Sequence, residues 1–281
     1  MSHALFLGCT VPIRALGYEQ ATRQIAKRLG LNLIDLNFLC CGFPLEPIKG
    51  GRAYAYAAYN IALAEKRGVD IVALCSACTG MLTKVNHRLP GGLPHETQAV
   101  LDTLNVGSLR GVKIRHLARF LYEDYGVERI RDEVVRPLEG LRVAVHYGCH
   151  YLRPSEIYEG FDDWENPHTV DELVEATGAE SVPFDGRVDC CGGALIGYQE
   201  ELASRMAEAT YGKTDGADLT ITICPFCGLM YNRYQRTLGE GGRPMLYYPQ
   251  LLGVALGLEA SSLGIKSRSV VARVISERVR G

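Results

Sequence analysis

Residues 69–78 read VDIVALCSAC and residues 218–227 read DLTITICPFC. Each is a short, near-continuous apolar run that delivers a C-x-x-C element. Such runs suit strands buried on both faces of a parallel sheet. A stretch with helical periodicity precedes each one, Arg52–Arg67 in the first case (Gly68 follows it) and Glu200–Tyr211 in the second. A helix leading into a buried strand, twice over and with thiols at the strand end both times, predicts repeated βαβ units.

The repetition extends outward from these two stretches. HALFLGCT (3–10) matches RVAVHYGCH (142–150), and TRQIAKRLGLNLIDLNFLCCGFP (22–44) matches VDELVEATGAESVPFDGRVDCCGGA (170–194). VKIRHLARFLYEDYG (112–126) matches RPMLYYPQLLGVALG (243–257). Strands are predicted at Ala4–Leu7, Leu31–Leu36, Val143–Tyr147 and Ser181–Phe184, and helices at Tyr18–Leu29 and Val170–Thr177. The predicted fold is α/β, with two pseudo-symmetric lobes. Each lobe is a parallel sheet flanked by helices, with cysteine-bearing loops at the strand ends, where open parallel sheets bind ligands. The expected divisions are residues 1–135, residues 136–260, and an amphipathic tail at 261–281. The join lies within Glu128–Gly140, and a polar loop insertion falls at 160–168.

All ten cysteines belong to the repeat. Cys9, Cys40, Cys41, Cys75 and Cys78 form one set, and Cys149, Cys190, Cys191, Cys224 and Cys227 form the other. The spacings agree: 33 residues lie between Cys41 and Cys75, and 32 between Cys191 and Cys224. Five thiols exceed what one tetrahedral zinc or one cubane cluster takes. A C-x-x-C element alone also serves zinc and thioredoxin-like redox sites. Vicinal Cys-Cys followed by Gly is more specific. Neighbouring side chains of an extended stretch point apart, so the two thiolates reach different irons of one cluster more readily than one small ion. Gly42 and Gly192 allow the backbone turn this requires. Two zinc-stabilised lobes and a metal-free dithiol couple remain open on spacing alone. A disulfide framework is disfavoured by the expected reducing compartment.

Composition sets outer bounds. The chain has 281 residues, 47% apolar and 22% charged, with a formal net charge of −2, which suits a globular protein and argues against a general nucleic-acid binder. MSHALFLGCT has no basic n-region, and no run approaches a bilayer span, so a cytoplasmic location without membrane insertion is expected. There is no ferredoxin-type cysteine run and no GxGxxG fingerprint, so this chain is expected to bind neither flavin nor nicotinamide.

His146 and His150 flank Cys149. Either one offers a hydrogen bond to a metal-bound sulfur or to an anionic substrate, as an alternative to simple packing at a strand end. His87 and His116 read as structural residues. Arg14, Arg153 and Lys213 lie near the cysteine loops in sequence; solvated charge is the default role, and binding an anionic thiol substrate is the alternative. Tyr54, Tyr56 and Tyr59 read as helix-face packing. In the tail, Val270, Val271, Val274 and Ile275 alternate with Arg268, Arg273, Arg278 and Arg280, giving one apolar and one basic face for docking on a partner or on the protein's own lobe.

Two copies of C…CCG…C-x-x-C, together with FLGCT, VAVHYGCH, CPFC and LLGVALGLEASSLGI (251–265), resemble the cysteine-rich CCG domains of the B subunit of heterodisulfide reductase. The resemblance covers nearly the whole chain. FLGCTVPIRALGYE (6–19) and NFLCCGFP (37–44) are similar to the heterodisulfide reductase-like type of sulfur oxidisers. The wider family includes parts of lactate, glycolate and glycerol-3-phosphate oxidising systems. The resemblance implies two non-cubane [4Fe–4S] clusters, one on each five-cysteine set, that cleave or form a disulfide held between them. The implied substrate is a small thiol/disulfide couple or a carrier-bound sulfur species. The implied partners are a ferredoxin-like iron–sulfur protein and a flavoprotein of the same complex. Two other roles stay open: electron transfer for an organic-acid dehydrogenase, and a zinc-stabilised scaffold.

Overall fold

The computed structural model describes residues 2–237, 243–266 and 269–278. Within them lie two four-stranded sheets, each parallel throughout. In the first, β1 (Ser2–Phe6), β2 (Asn32–Ile34), β3 (Asp70–Ala73) and β4 (Ile114–His116) run in the order β2-β1-β3-β4. In the second, β5 (Arg142–His146), β6 (Glu180–Val182), β7 (Leu219–Thr222) and β8 (Met245–Tyr247) run in the order β6-β5-β7-β8. The register repeats too: Ala4 pairs with Ile71 and Ile34, and Ala144 pairs with Thr220 and Val182.

The longer helices are α1 (Leu16–Arg28), α2 (Gly51–Arg67), α3 (Ser76–Arg88), α4 (His95–Thr103), α5 (Val127–Glu133), α6 (Thr169–Glu175), α7 (Glu200–Tyr211), α8 (Pro225–Thr237), α9 (Tyr248–Ala255) and α10 (Val270–Arg278). Helix α1 shows why such segments form: Tyr18, Ala21, Thr22, Ile25 and Ala26 bury one face, while Lys27 and Arg28 sit in the last turn, where the helix dipole favours cations. The strand expected at Leu31–Leu36 is shorter. Its ladder ends at Ile34, because the chain then leaves the sheet to carry Cys40 and Cys41. A helix begins within each C-x-x-C element. Cys75 is the extended N-cap of α3 and Cys78 lies in its first turn; Pro225 opens α8, a position proline suits.

The lobes share their core. Leu5 and Val72 of the first sheet lie in one buried cluster with Val143, Val145, Leu219 and Ile221 of the second. Tyr18 stacks on Tyr247 across the seam, with ring centroids 4.4 Å apart and planes 9° apart. A second cluster joins Phe6, Ile71 and Ala73 to Met230, Tyr231 and six of the cysteines. Full burial of each large apolar side chain contributes about 1.5–3 kcal/mol.

Helix α10 lies on the protein's own second lobe. Ile275 is buried, Val271 and Val274 pack on the shared core, and Arg278 pairs with Asp218 at 2.8 Å. Arg268 and Arg280 fall outside the described residues. Residues 160–168 carry no helix or strand, and Asp162 accepts hydrogen bonds there from the backbone N–H groups of His168 and Thr169.

Candidate metal centre

The strand order places the cysteines. The chain passes from β1 to β2 on one side, then crosses back beyond β1 to β3, so the loops leaving β1 and β3 diverge and open a crevice at their carboxyl ends. Cys9 follows β1, Cys40 and Cys41 follow β2, and Cys75 and Cys78 follow β3; Cys149, Cys190, Cys191, Cys224 and Cys227 repeat this on β5, β6 and β7. Glycines permit the close approach. Gly42 (φ +88°) and Gly192 (φ +77°) are left-handed, and a Cβ on them would stand 2.3 Å from the Ala53 carbonyl oxygen and 2.7 Å from that of Ala203. A Cβ on Gly8 would stand 2.8 Å from Cys78 Sγ.

The thiols of each lobe touch one another. Cys40 Sγ lies 3.9 Å from Cys9 Sγ and accepts from the Gly42 N–H at 3.5 Å. Hydrogen bonds from Cys40 and Cys78 push the Cys41 thiol down to about 4, and the bond with Cys40 pushes Cys9 up. In the second lobe the bond with Cys149 pushes Cys190 down to about 6 and Cys149 up. Cys191 and Cys224 interact with Cys227. The sets meet where Cys75 interacts with Cys224 across the seam. Cys9 is exposed, Cys40, Cys149 and Cys190 are half-buried, and the other six are buried.

Side chains that the sequence pattern does not single out position these loops. Asn60, fully buried on α2, accepts from the Leu39 N–H at 2.8 Å and donates to the Leu39 and Cys40 carbonyls, clamping the Cys-Cys loop. His116 ends β4. Its Nδ1 accepts from the Ala118 N–H at 3.1 Å, which makes Nε2 the donor to the Ile223 carbonyl at 3.0 Å. Tyr18 Oη donates to the same carbonyl at 2.9 Å. Two groups of the first lobe thus hold the backbone that presents Cys224. Tyr158 donates to the His150 carbonyl of its own lobe at 2.8 Å, with its hydroxyl beside Gly80 of the first lobe. Tyr18 and Tyr158 each follow the lone cysteine of their lobe by nine residues, a repeat visible in the sequence.

A cavity of about 1140 Å³ opens at the seam, between the two Cys-Cys-Gly loops. Phe43, Ile48, Leu195, Tyr198 and Phe226 give it apolar walls, with Arg14 and Arg233 lining it as well. Thr10, Phe43, Pro44 and Phe226 also line a narrow chamber that contains Cys9, Cys41, Cys75 and Cys78. The cavity therefore abuts the first thiol set directly.

The remaining sequence candidates separate. His150 is half-buried, with its ring edge-on to Phe43 at 4.8 Å, and burial lowers its pKa. His146 is fully buried near Cys224 and pushed down to about 4 by burial. Lys213 pairs with Asp189 at 3.3 Å, Arg153 stacks over Trp164, Tyr54 donates to Glu46, and His87 and Tyr56 are exposed. Among the described residues, no three His, Cys, Asp or Glu side chains close on a point that one metal ion would occupy. The candidate donors are five thiols per lobe, a soft all-sulfur set that suits polynuclear iron. No described helix is long and apolar enough to cross a membrane.

Ten thiols at the ends of two like sheets define a duplicated cysteine-rich domain. The CCG cysteine-rich domain family matches residues 3–83 and 143–232, and the chain belongs to that family. It is 35% identical to the B subunit of the ferredoxin:CoB-CoM heterodisulfide reductase of Methanosarcina mazei, over 95% of this chain and 93% of that one. It is 31% identical to a protein of Archaeoglobus profundus described as like the B subunit of heterodisulfide reductase, over 92% of each chain. It is also 32% identical to the 8-methylmenaquinol:fumarate reductase membrane anchor subunit of Wolinella succinogenes, over 93% of this chain and 94% of that one. A hypothetical protein from Helicobacter pylori shares the fold, with a TM-score of 0.71 at 16% identity; the match covers 94% of this chain and 50% of that protein.

Proposed function

We propose that this chain is the iron–sulfur subunit of a heterodisulfide reductase-like complex and interconverts a disulfide with its two thiols. The observation that carries the reading is the meeting of two complete five-thiol sets at Cys75 and Cys224, beneath the cavity at the lobe seam. Cys9, Cys40, Cys41, Cys75 and Cys78 hold one non-cubane [4Fe–4S] cluster, and Cys149, Cys190, Cys191, Cys224 and Cys227 hold the other. When bound, the clusters supply one-electron steps at sulfur, and two electrons with two protons convert one disulfide into two thiols. The protein's own residues do the rest. Phe43 and Phe226 flank the way from the cavity to the first thiol set, the apolar walls keep water from the disulfide, and Arg14 attracts an anionic end. Electrons come from ferredoxin-like and flavoprotein partners in the cytoplasm.

Iron and acid-labile sulfide analysis of anaerobically prepared protein tests this. About eight irons per chain are expected from two four-iron clusters. About two zinc ions and no iron would instead support a scaffold. The fumarate reductase subunit of Wolinella favours a second reading, an electron relay within an organic-acid oxidoreductase. Adding a disulfide to the reduced protein separates the two, because a relay shows no substrate-induced change in its cluster spectrum.

A further inference from the structure

The two lobes differ at two buried positions beside their thiols. Aligning the repeats places Phe6 opposite His146, three residues before Cys9 and Cys149. It also places Leu82 opposite Tyr231, four residues after Cys78 and Cys227. Phe6 and Leu82 carry no donor, and the Phe6 ring lies against Phe38 at 5.0 Å. His146 and Tyr231 meet edge to face at 4.9 Å, each 1% exposed.

Among the described residues, neither ring nitrogen of His146 nor the Tyr231 hydroxyl has a hydrogen-bond partner. The Gly186 carbonyl faces the ring without closing a bond to it. An imidazole carries at least one N–H in either protonation state. Nε2 of His146 and Sγ of Cys227 flank the same point, lying 3.8 Å and 3.2 Å from where a Cβ on Gly148 would stand. Tyr231 lies in one buried cluster with Cys191 and Cys227, and Asp189 and Cys190 are near enough to act on its hydroxyl electrostatically. Buried donors without partners are uncommon in folded proteins and call for an explanation. In the first lobe the comparable orphan beside the thiols is the Ser76 hydroxyl, where the second lobe has Pro225. Thr10 Oγ1 also lies 3.8 Å from Cys9 Sγ, at the exposed rim; among buried side chains beside the thiols that lack a partner, the donor balance is two to one in favour of the second lobe.

We propose that His146 and Tyr231 donate hydrogen bonds to sulfur of the centre held by Cys149, Cys190, Cys191, Cys224 and Cys227, and so raise its reduction potential above that of the first centre. The proposal rests on the iron–sulfur reading and adds a polarity to it. Donors to sulfur stabilise the more negative, reduced state of a cluster. An electron entering through either lobe then comes to rest on the second.

The test is a potentiometric titration of the full chain, prepared anaerobically with both clusters and followed by electron paramagnetic resonance. The wild type shows two midpoints, and Cys191→Ser removes the higher one. His146→Phe, which copies the first lobe, lowers the higher midpoint and leaves the other in place. The expected change in electron partition is about tenfold, equal to about 59 mV for a one-electron couple. His146→Gln keeps an N–H and restores part of the shift, and Tyr231→Phe lowers the same midpoint. Pulsed measurements show an exchangeable proton coupled to the higher-potential centre, lost in deuterium oxide and in His146→Phe. If His146→Phe fails to assemble, Tyr231→Phe and the proton coupling decide. Equal midpoints in the wild type, or midpoints unchanged in both variants with both clusters retained, overturn the proposal. Iron-free protein overturns the underlying reading instead, and metal analysis detects that before any titration.

Discussion

Gly42→Ala is the sharpest test of how the Cys-Cys loop is built. Two costs add. The left-handed backbone at φ +88° disfavours any residue with a Cβ by about 1–2 kcal/mol. The new methyl would also stand 2.3 Å from the Ala53 carbonyl oxygen, on the buried side of α2, where only backbone movement relieves it. Overpacking of that kind costs typically about 1–3 kcal/mol. The sum is about 2–5 kcal/mol, a large part of an ordinary stability of about 5–15 kcal/mol. Gly68→Ala isolates the first cost, because Gly68 is left-handed at φ +69° with nothing within 4 Å of its would-be Cβ. It should lose only about 1–2 kcal/mol. Thermal unfolding followed by circular dichroism measures both, at about 2–4 °C per kcal/mol for a chain of this class. Iron content measured alongside should fall in Gly42→Ala, because the displaced loop carries Cys40 and Cys41, and should hold in Gly68→Ala. If Gly42→Ala were no more destabilising than Gly68→Ala and kept its iron, the steric reasoning would be refuted.

Cys41→Ser should weaken only the spectrum of the first centre, and Cys191→Ser only that of the second, since each cysteine sits in its own thiol set; equal loss of both signals from a folded variant would contradict separate sites. Tyr18→Phe alone should cost about 0.5–1.5 kcal/mol, because His116 still donates to the Ile223 carbonyl. Combining it with His116→Phe should cost more than the sum of the single changes, by about 0.5–3 kcal/mol, since the carbonyl is then left without a partner. Urea unfolding of the four-member cycle reads this, and strict additivity would show that the two donors do not share the acceptor.

The sheets and their cysteine loops are legible in the sequence because parallel strands buried on both faces read as apolar runs, and VDIVAL and DLTITI each end on a thiol. β4 and β8 do not stand out as strands. At three residues each they are too short to show a period, although the repeat pairs VKIRH with RPMLY. That α3 and α8 begin inside the C-x-x-C elements is hidden because Ser76 and Pro225 look like parts of a ligand loop rather than first-turn residues. The contact of Cys75 with Cys224 depends on how two lobes dock, which local patterns do not encode. For the same reason Asn60, His116 and Tyr18 do not declare themselves as site residues. Each acts on a backbone group distant in sequence, and nothing about a lone Asn or Tyr on a helix or a lone His at a strand end announces that. His146 stands out in the sequence by its place three residues before Cys149, but its contrast with Phe6 gains meaning only once both are seen buried at the ends of equivalent strands.

The interdigitated interior has a consequence for how such a duplicated chain can change over time. Neither half, severed near residue 135, would keep its inner wall dry, because Leu5, Tyr18 and Val72 are roofed by Val145, Ile221 and Tyr247 of the opposite half. Drift on that wall must proceed in matched steps on both sides, whereas the rim loops are free to diverge. The six cysteines of the second shared cluster fall under the same constraint, so only the outer rim around Cys9 can be rebuilt on one side alone.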